Sequence, residues 1–167
     1  MEQVNRWIKE LELEPHPEGG WYKEVYRASE SVEASGLPER FDGARSHATS
    51  IYFLLAKDNF SAFHRIKSDE MWHFYAGDGL TVQIIAPDGE QSAIRLGNQP
   101  EQGETIQGVV PAGSWFAAEP KGNGYALVGC TVAPGFDFND FELADQHELQ
   151  RLFPKHHELI RRLTRNS

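Results

Sequence analysis

The sequence predicts an all-β fold, a sandwich or barrel, with short helices at its two ends. Three observations carry this. From Thr49 onward, eight short segments rich in β-branched or aromatic residues follow one another, separated by turns such as AGDG, APDGE, PAGS and KGNG. No helical pattern interrupts them, so they have only one another to pack against. Apolar residues three and four apart occur only near the termini.

Taken in order, VNRWIKELEL sets Val4, Trp7, Ile8 and Leu11 on one side of a helix expected over residues 3–12. EPHPEGG ends it, because two prolines and two glycines oppose regular structure. WYKEVYR alternates aromatic and charged residues as a strand does, and SESVEASGLPERFDGARS follows as a long surface loop. The strands are TSIYFLLA, FSAFHRI, EMWHFYA, LTVQIIAP, QSAIRLG, ETIQGVVP, SWFAAEP and YALVGCTVAP. Helix returns over 142–164, where Leu143, Leu149 and Leu152 share a side and Pro154 can open a second helix. One domain over 1–167, without repeats, is expected.

The totals exclude several functions. A net charge of −9 argues against nucleic-acid binding, which needs a basic surface. The one basic cluster, Arg161, Arg162 and Arg165, fits the last turn of a helix. The single cysteine, Cys130, sits in an apolar run and reads as a core residue, with no disulfide framework. No leader-like start and no membrane-length apolar run occur, so a soluble cytoplasmic protein with no membrane partner is expected.

Chemistry concentrates in FHRIKSDEMWHFYAGDG. If FSAFHRI and EMWHFYA form one hairpin about Lys67, His64 lies opposite Glu70, Ala62 opposite Trp72 and Phe60 opposite Phe74. The other face then carries Phe63, Met71, Ser61 and His73, although a bulge would exchange the faces and move His73. A carboxylate paired with an imidazole fixes its tautomer and raises its basicity, making His64 a candidate base and Glu70 its orienter. The alternative is an ordinary buried hydrogen-bonded pair.

The same stretch resembles the first motif of the cupin superfamily: His64, Glu70 and Gly77 match its first histidine, glutamate and closing glycine. VVPAGSWF resembles the second motif through Pro111 and Gly113. Ile66 and Phe116 stand where the second and third histidines belong, which removes half of the usual metal ligands. No cofactor is therefore expected, and a divalent metal on His64, Glu70 and His73, or with help from His16, is the disfavoured alternative. HPEGGWYKEVYR, TSIYFLL, SAFHRIKSDEMWHFYAGDGL, VVPAGSWFAA and ALVGCTVAPGFDFNDFELAD together resemble the cupin-type domain of unknown function 985. That resemblance implies a jelly-roll barrel, a homodimer and a small-molecule pocket at one end. Sugar epimerases that use a histidine base without metal share such a barrel, an analogy of fold only.

Other candidates accompany the pair. In HPEGG, His16 or Glu18 could touch a ligand at a pocket lip, or the segment could be a rigid corner. Arg45 could bind an anionic group or be a plain loop arginine. Trp72 is expected as a ligand wall, with Tyr52, Tyr75 and Phe116 near the motif strands and either tyrosine a possible acid. PGFDFNDF could cap the barrel or bridge subunits, while His147, His156 and His157 should face solvent. No nucleophile elbow, phosphate loop, dinucleotide fingerprint or zincin motif is present. The sequence thus favours an isomerase or epimerase type of acid/base chemistry on a sugar-like or keto ligand. A non-catalytic sensor and a metal-dependent oxygenase are its alternatives.

Overall fold

The computed structural model describes residues 2–165. Thirteen strands form it: β1 (Glu14–Pro15), β2 (Trp21–Arg27), β3 (Ser31–Val32), β4 (Arg45–Ser46), β5 (Thr49–Ala56), β6 (Ser61–Arg65), β7 (Asp69–Gly77), β8 (Leu80–Ile85), β9 (Gln91–Leu96), β10 (Gln107–Val110), β11 (Trp115–Pro120), β12 (Tyr125–Ala133) and β13 (Glu142–Leu143). Helix α1 (Glu2–Glu10) precedes them, and α2 (Gln146–Leu152) and α3 (His157–Arg162) follow. A six-stranded sheet in the order β1-β2-β5-β12-β7-β10 faces a five-stranded sheet in the order β13-β6-β11-β8-β9. This is the expected all-β architecture, with the eight strands expected from Thr49 onward close to their places and β13 an addition where helix was expected.

Alternation along the strands builds the layers. Phe53, Trp72 and Val128 of the first sheet meet Val82, Ile84 and Phe116 of the second in one buried core. Phe63, Ile85 and Trp115 point the other way and are covered by Leu149, Ile160 and Leu163 of the C-terminal helical region. Helix α1 lays Val4 over Leu54 and Leu127 on the outside of the six-stranded sheet. Asp145 begins α2 by accepting the Glu148 N–H at 2.9 Å, a side-chain cap for an otherwise unpaired donor.

Several expectations change. β6 and β7 do not form a hairpin: β6 pairs with β11 and β13, β7 with β12 and β10, and the chain crosses between sheets at residues 66–68. His64 is opposite Phe116, and Glu70 is opposite Val110 and Val132. The face assignment nonetheless holds for His64, Glu70, Trp72 and Phe74 against Phe63 and His73, because strand alternation does not depend on the partner, but Phe60 packs on the Phe63 side. The surface loop contains the short β3–β4 ladder. In the tail, Pro154 opens a 3-10 turn ahead of α3, while Leu143 and Leu152 are exposed and only Leu149 is buried. His156 accompanies them inward, bonding the Gly89 carbonyl at 2.8 Å, whereas His147 and His157 are exposed.

Candidate functional site

The turn after His16 brings two elements together. Gly19 and Gly20 have φ of 111° and 79°, and a side chain on Gly19 would strike the Phe60 carbonyl at 2.2 Å. This close approach lets the Glu18 carbonyl accept the Ala62 N–H at 2.8 Å, which carries the Glu18 side chain inward beside β6. Arg165 secures the same turn from the C-terminal end, donating to the Phe60 carbonyl at 2.7 Å and to Asn59 at 3.1 Å.

Glu18, and not Glu70, is the carboxylate that pairs with His64: Oε2 lies 2.8 Å from Nε2. His64 Nδ1 is 2.8 Å from the Ala62 carbonyl, which can only accept, so Nδ1 carries a proton. Burial opposes charge on the ring, but Glu18 outweighs it and raises the His64 pKa. Burial likewise opposes charge on Glu18, and His64 outweighs it in turn, lowering the Glu18 pKa. The pair is an imidazolium–carboxylate with both ring nitrogens engaged. That leaves His64 no lone pair with which to act as a base.

His16 completes a chain of three. Its Nδ1 accepts the Glu18 N–H at 3.2 Å, which puts the ring proton on Nε2. Burial lowers its pKa in spite of Glu18, and the His64 charge adds to the effect, so His16 is neutral. Tyr22 meets it edge-on at 4.5 Å between ring centroids.

Glu70 enters from the opposite sheet and has no ion pair or hydrogen bond to a nitrogen or oxygen among the described residues. Burial pushes its pKa up to about 7, moderated by His64 and reinforced by the Glu18 charge. The Cys130 thiol lies against it, and burial raises that thiol well above its ordinary range.

These groups face one cavity of about 530 Å³. His16, Glu18, His64 and Glu70 line it, with Cys130, Ile51, Ile66 and Val132 supplying apolar wall. Tyr22, Phe136, Phe138 and Phe141 form an aromatic collar, and Glu14, Glu24, Arg27 and Asp137 add charge. The PGFDFNDF segment therefore caps the cavity.

Comparison with known proteins identifies this architecture. The chain matches the family described as Cupin superfamily (DUF985) over residues 5–144. The chain belongs to that family. The cupin is 41% identical to protein SO0799 from Shewanella oneidensis, with 98% of each chain covered and a TM-score of 0.88. It is 33% identical to the uncharacterized protein YML079W of Saccharomyces cerevisiae, over 89% of this chain and 79% of that protein. Oxalate decarboxylase from Bacillus subtilis shares the fold at 17% identity and a TM-score of 0.55, over 92% of this chain and 37% of that one.

The metal set common in cupins does not fit these residues. Ile66 and Phe116 put hydrocarbon at two ligand positions, and both nitrogens of His64 are engaged. His73 cannot join, because it lies on the outer face between Thr131 at 3.0 Å and Gln107 at 2.9 Å. Among the described residues no three histidine, cysteine or carboxylate side chains are placed so that they could hold a metal ion.

Other expected site residues also move. Trp72 and Phe116 are buried core: Trp72 packs on Phe53 and Phe116, and Phe116 lies 4.1 Å from the His64 ring. Tyr52 and Tyr75 contact one another on the outer face, so neither supplies an acid to the cavity. Arg45 is buried, donating to Asp140 at 2.8 and 2.6 Å and to Asp42 at 2.6 Å, which fastens β4 to the collar segment. Cys130 was missed as a wall residue, although its alternation with Val128 and Val132 was legible. Tyr22, Glu24 and Arg27 had only the strand pattern of WYKEVYR to mark them.

Proposed function

We propose that this cupin binds a small polar organic molecule, sugar-like or keto, in the cavity and moves a proton on it through Glu70, with no metal required. The supporting observation is a buried carboxyl, without an ion pair and partnered only by the Cys130 thiol among the described residues, with a pKa of about 7 and facing a ligand-sized space. Ionised Glu70 takes a proton from the carbon beside a carbonyl. The C–H pair becomes the enolate double bond, and the carbonyl π pair goes to oxygen. The His16 Nε2–H donates a hydrogen bond to that oxygen, and protonated Glu70 returns the proton to the former carbonyl carbon while the neighbouring hydroxyl passes its own proton to the enolate oxygen and becomes the new carbonyl. The net change is an isomerisation needing no oxidant. The Glu18–His64 pair shapes the field around Glu70 and is not the base.

The test is deuterium exchange followed by proton NMR, with aldoses, ketoses and amino sugars offered in D₂O. Wild-type protein should exchange a carbon-bound proton on at least one member. Glu70→Gln should lose about 10²-fold or more of that rate. Undiminished exchange by Glu70→Gln would remove the proposal.

The locking of His64 favours a second reading, a non-catalytic binding or sensor module. That reading expects a retained ligand with no exchange and no product.

A homodimer is proposed through the outer face of the six-stranded sheet, where Tyr75 and Val109 are exposed beside half-buried His73. Sedimentation of wild type and Val109→Asp would test it. A cytoplasmic setting suits the single buried thiol. No helix among the described residues is long and apolar enough to cross a membrane.

A further inference from the structure

The cavity has a charge pattern that discriminates among ligands. Five carboxylates line it, Glu14, Glu18, Glu24, Glu70 and Asp137, against two cations, Arg27 and His64. Both cations are engaged. His64 is held between Glu18 and the Ala62 carbonyl. Arg27 donates to Glu24 at 2.8 and 2.9 Å and to the Phe136 carbonyl at 3.0 Å. With Glu18 and Glu24 paired to them, an anionic ligand would meet Glu14, Glu70 and Asp137, which have no ion pair among the described residues, and no uncommitted cation on the wall.

Glu70 points the same way from inside. It is 8% exposed, has no ion pair or hydrogen bond to a nitrogen or oxygen among the described residues, and faces the cavity. Its one donor among them is the Cys130 thiol, a weak one, and a buried carboxylate held by so little is costly unless a ligand brings a stronger donor. The collar of Tyr22, Phe136, Phe138 and Phe141 is aromatic, and the faces of such rings attract cations and repel anions.

We propose that the ligand of this cavity carries a positive charge: a small organic amine whose ammonium group meets the acidic wall and whose uncharged part packs against the collar. This rests on the cavity being the binding site, and it narrows the substrate class to amines such as amino sugars. An ammonium near Glu70 keeps it ionised, the form from which proton transfer begins.

Two matched series test the charge: glucosamine, glucose and glucuronate, and benzylamine, benzyl alcohol and benzoate. Affinity is measured by calorimetry, and the site is located by methyl NMR of Ile51, Ile66 and Val132. The amine in at least one series should bind about tenfold or more tightly than its neutral partner, with the acid weakest. Glu70→Gln should remove most of that preference for the amine over its neutral partner. Asp137→Asn, at a half-buried position, should reduce it in the same direction and guards against a folding defect in the first variant.

A neutral or acidic member binding more tightly than its amine, with those methyls perturbed, overturns the charge assignment and leaves the cavity reading standing. Binding that leaves the three methyls unmoved overturns both. So does the absence of binding by all six compounds.

Discussion

The Glu18–His64 pair on the cavity wall and the Arg45–Asp140 pair behind the collar are alike in geometry. Their contacts are 2.8 Å in the first and 2.8 and 2.6 Å in the second. All four residues are 3–5% exposed. They differ in the cation. A guanidinium does not release its proton in a protein, and Asp140 raises the Arg45 pKa further. That pair is a permanent cross-link between β4 and the segment carrying Phe138 and Phe141. An imidazolium can release its proton, so the wall pair is sensitive to pH. Of these two buried pairs, the permanent one serves architecture and the titratable one faces the cavity.

The largest effect should come from breaking the permanent pair. Asp140→Ala leaves the buried Arg45 with the exposed Asp42 as its one ion-pair partner among the described residues, beside the Ala44 carbonyl. The expected loss is about 3–5 kcal/mol, read from urea unfolding. A loss well under this range would mean that Asp42 alone supports the guanidinium.

The next effect sharpens the contrast at Glu70, which faces Glu18, His64 and Cys130. Its pKa rises from the ordinary 4.5 to about 7 on folding. A raised value means that its stability is complete below pH 4.5 and is lost as pH climbs through about 7. The loss across that window is on the order of 3 kcal/mol. Glu70→Gln should flatten this part of the stability–pH curve, making the variant relatively more stable at pH 8 than at pH 4.5. Unchanged slopes would contradict the buried, titrating carboxyl.

Sequence carried much of this fold because alternation and turn chemistry are local. β2 and β5 are bounded in the structure as the patterns WYKEVYR and TSIYFLLA suggested. Alternation also put His64 and Glu70 on a common side, though with both faces substantially apolar it could not say that this side is the inward one. It could not reveal that three residues, 66–68, cross between sheets instead of closing a hairpin. The mistaken partner followed from that. Glu18 reaches His64 only because two glycines let the distant HPEGG turn touch β6, a long-range contact without periodicity to announce it. Arg45 was illegible for a related reason: its partner, Asp140, lies 95 residues away.

The wall pair supplies the third test. His64 has a raised pKa, so its contribution is complete below the ordinary 6.5 and disappears as pH rises through the raised value. Glu18 has a lowered pKa, so its contribution holds above 4.5 and disappears as pH falls through the lowered value. The pair stabilises fully between pH 4.5 and 6.5. Inside that window Glu18→Gln should cost about 1–3 kcal/mol, less than Asp140→Ala because His64 can shed its proton. Carbon-detected NMR should show the His64 pKa falling. A value that stays raised would mean that Glu70 holds the charge unaided.

The smallest expected effect isolates what burial adds. Asp42 holds the same guanidinium as Asp140, and at the same 2.6 Å, but its side chain is 60% exposed against 3%. Water already solvates Asp42, so removing it returns little desolvation and exposes no stranded charge, since Asp140 keeps its two-pronged contact with Arg45. Asp42→Asn should shift the urea midpoint far less than Asp140→Ala, and added salt should shrink the shift further. Equal shifts for the two variants would show that distance, and not burial, sets the strength of this latch.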